Sequence, residues 1–120
     1  LPLKKNIRYN RSDKTALAKL KKLTKDTTTD IETFRLHRAA ERLYHFFWHY
    51  YADIIIERQK TRLAKPEVSA EKETAKALLL EFHFVLIRLL HPFVPFITEE
   101  IWAQKAPKKN TILMVEKWPL

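Results

Sequence analysis

The stretch LLHPFVPFITEEIW, residues 89–102, sets two prolines three positions apart between apolar runs and follows them with adjacent carboxylates. Pro92 disfavours helical geometry at His91, so a helix arriving from upstream ends near Leu90. Pro95 then stands where the first turn of a new helix tolerates proline, and Phe96, Ile97 and Ile101 recur on one face after it. The stretch therefore predicts a corner between two helices. In it Phe93, Phe96 and Ile101 are expected to fold back on a core, and Glu99 and Glu100 to complement the positive end of the second helix. A paired acid and base is the poorer reading of the two glutamates, because adjacent helical residues point about 100° apart and do not converge on one substrate. His91 reads as a corner residue with a satisfied ring rather than a hinge or ligand.

Upstream of the corner, Ala75, Leu78, Leu79, Phe82, Val85, Leu86 and Leu89 fall at helical spacing, behind a cap at Ser69 and the acidic first-turn pair Glu71 and Glu73. The stretch LAKPEV, with Pro66, reads as a short linker. Before it, about residues 35–62 carry a stripe of Leu36, Ala39, Ala40, Leu43, Phe47, Tyr50, Tyr51 and Ile54, widened by Phe46, Trp48, Ile55 and Ile56. A helix this apolar around its girth packs among neighbours. An earlier helix, capped by Ser12 and running from Asp13, presents Leu17, Leu20, Thr24, Thr27, Ile31 and Phe34 on a narrow face with a lysine-rich back. The Thr27, Thr28, Thr29 run has poor helix propensity and is a place for it to kink or end. The tail ILMVEKWPL is β-like in propensity, but a lone strand has no partner and is expected to be a crossing segment. The reading is an all-α, antiparallel bundle of about four helices, with a basic leader at 1–11, the bundle at 12–105 and an extended tail at 106–120.

Composition narrows the function. The 120 residues suit one domain, and they include no glycine, which excludes the dinucleotide fingerprint and the P-loop. Without cysteine there is no disulfide framework, thiolate metal site or cysteine nucleophile, as suits an intracellular protein. The first ten residues lack a signal sequence's apolar core. The most apolar window, 75–97, is broken by Glu81, His83, Arg88 and His91, which makes it a buried segment and not a membrane span. The net charge of +9 is concentrated, with +7 in residues 1–38 and +2 in the remainder. That asymmetry is the footprint expected for a polyanion, although solubility accounts for a moderate positive charge equally well.

Three stretches in order carry a family resemblance. LLHPFVPFITEEIW resembles the segment near the end of the anticodon-binding domain in the class I aminoacyl-tRNA synthetases for valine, isoleucine and leucine. FRLHRAAERLYHFFWHYYADIIIERQK resembles the second helix of that domain, with Arg35, Ala39, Ala40, Tyr44, Trp48 and Asp53 at matching places, and ILMVEKWP is similar to the segment after the bundle. The valyl branch is the nearest, on LHPFVPFITEEIW and on ILM before WP. The resemblance implies a helical fragment that holds a tRNA, most specifically tRNA(Val), alongside the remaining domains of a cytoplasmic enzyme. The family's HIGH and KMSKS motifs, which serve ATP-dependent activation, are absent from these residues. The fragment is therefore expected to have no activity and no cofactor of its own, ATP belonging to the parent enzyme. The isoleucyl or leucyl form, a freestanding basic helical module that meets an acidic protein, and a complete small enzyme are the alternatives.

RNA recognition asks for cations to meet phosphates and for aromatic or guanidinium planes to meet unstacked bases. Phe34, Arg35, His37, Arg38 and Arg42, around the start of the second helix, are the candidate tRNA-binding residues; a merely solvated helix end is the competing view. His45, His49, Asp53 and Glu57 share a helical face, yet spacing alone does not close a metal site, and a polar packing seam is preferred. Trp48, Trp102, Phe47 and Tyr50 are read as core before they are read as stacking platforms.

Overall fold

A computed structural model describes residues 7–64, 69–105 and 112–119, with backbone alone for Lys105 and Val115. Lys4 and Lys5 of the leader and the Pro66 linker lie outside the described residues. The chain forms α1 (Arg11–Glu32), α2 (Leu36–His45), a π-helical segment (Phe46–Ile56), α3 (Glu57–Leu63), α4 (Ala70–Leu90), α5 (Pro95–Lys105) and a 3₁₀ turn (Leu113–Val115). The backbone stays helical from α2 through the π segment into α3, which makes one rod. The result is four helical rods and no strand among the described residues. No helix among those residues is long and apolar enough to cross a membrane.

The first helix starts earlier than its sequence suggests. Asn10, not Ser12, is the cap: its side chain accepts from the Asp13 amide at 2.8 Å while Asp13 accepts from the Asn10 amide at 3.1 Å. These reciprocal bonds satisfy two orphan donors, which a lone serine cap cannot do. The threonine run does not end α1, which continues to Glu32. Thr28 and Thr29 return their hydroxyls to the carbonyls four residues back, at 2.7 and 3.1 Å, while Thr24 and Thr27 are buried.

α4 is the central element. One face joins Ala16, Leu20 and Leu23 of α1, Leu43 of α2 and Ile55 of the π segment through Leu78, Phe82, Leu86 and Leu89. Phe82 stacks on Tyr51, with centroids 5.4 Å apart and planes 9° apart, and lies 6.2 Å from Phe46. The other face, Phe84 and Ile87, packs on Trp102 of α5 and Leu113 of the tail.

The proline corner lies where the sequence put it, with α4 ending at Leu90 and α5 starting at Pro95. Thr98, buried beneath it, donates to the Val94 carbonyl at 3.0 Å and lies 2.8 Å from His91 Nδ1, so the histidine ring is satisfied within the corner. Phe93 and Ile101 pack on the two parts of the core. Phe96 does not: it is 90% exposed and Ile97 is exposed beside it. α5 turns Trp102 and Thr98 inward, and that choice of face rotates Phe96 out. Glu99 is not in the first turn of α5 either. It reaches across to the tail, accepting from the amides of Leu113 at 3.1 Å and Met114 at 2.6 Å. The tail crosses back over the bundle, where Trp118 Nε1 donates to Thr28 Oγ1 at 2.7 Å.

Candidate functional site

The turn between α1 and α2 is made without glycine. The Phe34 amide donates to Ile31 at 3.1 Å and the Arg35 amide to Asp30 at 2.7 Å, the paired bonds of a Schellman closure. Phe34 occupies the left-handed position of that closure, φ 60°, where glycine is the usual residue. A side chain there costs about 1 kcal/mol or more, and Phe34 gains no burial in return, being 91% exposed. Phe34→Gly is accordingly expected to raise the stability by roughly 0.5–1 kcal/mol, read from the midpoint of a denaturant melt. A fall in stability would show that the ring contributes to the fold.

Arg35, His37 and Arg38 stand exposed on either side of the first turn of α2, which starts without a side-chain cap. Its first amides are therefore open to an anion. Neither Arg35 nor Arg38 makes an ion pair among the described residues, and His37 lies 3.9 Å from Glu41. Arg42 differs. Its Nε donates to Asp30 at 2.9 Å and its Nη1 lies 3.5 Å from Asp26, so it clasps α2 to α1. The structure thus groups Phe34, Arg35, His37 and Arg38 around one turn and gives Arg42 two acidic partners below it.

Aromatic placement departs from the sequence pattern along the rod. Tyr44 and Trp48, four residues apart, are both about half exposed, beside an apolar groove floored by Leu43, Phe47, Leu90 and Phe93, and Leu36 is exposed as well. Within the π segment the hydrogen bonds run from i to i+5, so a 3.6-residue stripe misplaces its faces, and only Ile55 there is buried. Trp102 is core, as its spacing implied, whereas Trp48 is not. His45 and His49 stack on each other at 5.5 Å, and no group of three potential metal ligands comes together among the described residues.

Four rods with a basic, aromatic-tipped turn at one end define an all-helical bundle as the class of protein. The sequence pattern of the family described as the anticodon-binding domain of tRNA ligase matches residues 13–120, and the chain belongs to that family. It is 34% identical over 118 residues to a valine–tRNA ligase of Laribacter hongkongensis, covering 95% of this chain and 12% of that protein. It is 36% identical to that of Thermotoga maritima, covering 89% and 12%, and 37% identical to that of Coxiella burnetii, covering 96% and 13%. The chain thus spans about an eighth of the length of these relatives.

Proposed function

We propose that this chain holds the anticodon stem and loop of tRNA(Val), as part of a valine–tRNA ligase whose other domains attach valine using ATP. Membership of the anticodon-binding family supports the RNA partner, and the valine–tRNA ligases among its relatives support the amino acid. The observation that carries the site is Phe34, a strained and exposed ring between cations, since strain without a packing return is typical of functional positions. An unstacked loop base stacks on Phe34, and Arg35 and Arg38 meet loop phosphates or base edges beside the open amides of α2. Arg42 acts through α1, fixing the height and angle at which this turn is presented.

Binding of stem-loop RNAs at low salt tests the reading. A valine-anticodon hairpin is expected to bind more tightly than one with altered anticodon bases. Arg35→Ala, Arg38→Ala and Phe34→Gly are each expected to erode that preference, whereas Lys76→Ala on α4 leaves it. Equal binding of both hairpins, or equal behaviour of Arg35→Ala and Lys76→Ala, would refute the turn as the reading surface.

A further inference from the structure

A pocket of about 130 Å³ lies between the proline corner and the tail, with Arg88 and His91 contributed by the end of α4 and Glu116, Lys117 and Trp118 by the tail. Pockets that take drug-sized molecules run to roughly 300–1,000 Å³, so this one suits a small ion. Arg88 is the residue whose state the packing leaves unexplained. Its Nε is buried and makes no hydrogen bond within the chain. Such a donor carries a desolvation cost, and in native proteins it is ordinarily met by a water or an ion. Neither Arg88 nor Lys117 forms an ion pair among the described residues, although Glu116 lines the same pocket. The neighbouring stretch 106–111 contains no acid. Two full cations therefore meet one carboxylate, and the balance at the pocket is positive. A water would satisfy the lone donor but not this charge. His91 is fixed beside them: the Thr98 hydroxyl donates to the Val94 carbonyl, so His91 Nδ1 is the donor in its bond to Thr98.

We infer that this pocket binds inorganic phosphate between Arg88 of α4 and Lys117 of the tail. The guanidinium supplies N–H donors in the fixed fork that matches an oxyanion, and Lys117 supplies a second charge from the other element. The anion takes the place of a direct link between them and joins the corner to the tail. Elsewhere the tail is held by Glu99, through the amides of Leu113 and Met114, and by Trp118 on Thr28 of α1. Phosphate therefore adds a third tie between tail and bundle, and it favours the docked tail by mass action. The inference does not depend on the RNA reading.

The test titrates the 120-residue chain with sodium phosphate against sodium chloride at constant ionic strength, followed by NMR at the Trp118 indole and the Lys117 amide. Saturable shifts of both signals are expected. Phosphate also strengthens burial in any protein by its exclusion from the surface, but that effect grows with concentration and does not saturate. Arg88→Met and Lys117→Met are each expected to weaken the apparent affinity about tenfold, the loss of one charge-assisted hydrogen bond. Lys117 is exposed, so its variant reports on binding even where Arg88→Met fails to fold. Glu116→Gln is expected to tighten binding, because it removes the opposing charge. Shifts that do not saturate, or that keep the parent affinity in Lys117→Met, would overturn the inference in favour of water alone. A Glu116→Gln variant that loses stability in chloride and gains no phosphate affinity would overturn it too, by making Glu116 the partner of Arg88. AMP and the valine-anticodon hairpin are expected not to displace phosphate, since a nucleoside does not fit; displacement by either would show that the free ion is the wrong occupant.

Discussion

Asp13→Asn is expected to cost about 3 kcal/mol of folding stability, because it removes the charge and leaves one amide oxygen to serve both Arg62 and the Asn10 amide, although the bond from the Asp13 amide to the Asn10 side chain is kept. The Asp13 carboxylate, 1% exposed, accepts from Arg62 Nη1 at 2.8 Å, and Arg62, 10% exposed, also donates to Gln59 Oε1 at 3.0 Å. This buried pair ties the start of α1 to the end of α3. Removing one charge leaves the other desolvated, a loss of about 3–5 kcal/mol in buried pairs. The lower end applies because Glu71, at 3.6 Å from Arg62 Nε, retains part of the neutralisation. Against a total stability of roughly 5–15 kcal/mol, that loss is visible as a large shift in the denaturant midpoint. Adding Arg62→Met should return most of it, since replacing both charges removes the stranded one. A single variant within about 0.5 kcal/mol of the parent protein would show that the pair does not hold the bundle together.

Phe82→Ala should cost about 3–5 kcal/mol, whereas Phe96→Ala should stay within about 0.5 kcal/mol. Both residues lie in apolar stretches of sequence, and the difference is entirely one of placement. Phe82 is fully buried between Tyr51, Phe46 and the aliphatic face of α1, so truncation removes transfer free energy and leaves a cavity in a close-packed region. Phe96 projects from the first turn of α5 into solvent. Urea melts of the two variants decide the matter: equal losses would mean that α5 is rotated from the orientation described here.

The local signals of this chain were enough for its elements. Proline at 92 and 95, serine at 69 and the spacing of Leu78, Phe82, Leu86 and Leu89 each act within one or two turns, and the helix ends and the main face of α4 lie where those signals place them. The family was legible for a similar reason, since its marks are contiguous stretches of sequence. Of the candidate site, sequence supplied the cluster of Phe34, Arg35, His37, Arg38 and Arg42. It did not supply the division of labour among them.

That division depends on partners far along the chain. Arg42 is drawn onto Asp26 and Asp30 because α1 and α2 fold back on each other, while Arg35 and Arg38 fall outside the seam. The Asp13 to Arg62 pair bridges 49 residues, and no periodicity announces it. Absence of glycine said that some other residue must take any left-handed turn; only the closure of α1 against α2 decided that Phe34 takes it. Within the rod, Trp48 stays exposed, Ile55 rather than Ile54 is buried, and Tyr50 sits beside Lys19. Sequence thus determined which segments are helical, through steric and capping terms that act over a few residues. Which face each helix buries, and which cations stay open, was decided by packing, because burial and charge pairing are properties of surfaces that meet only in the folded chain.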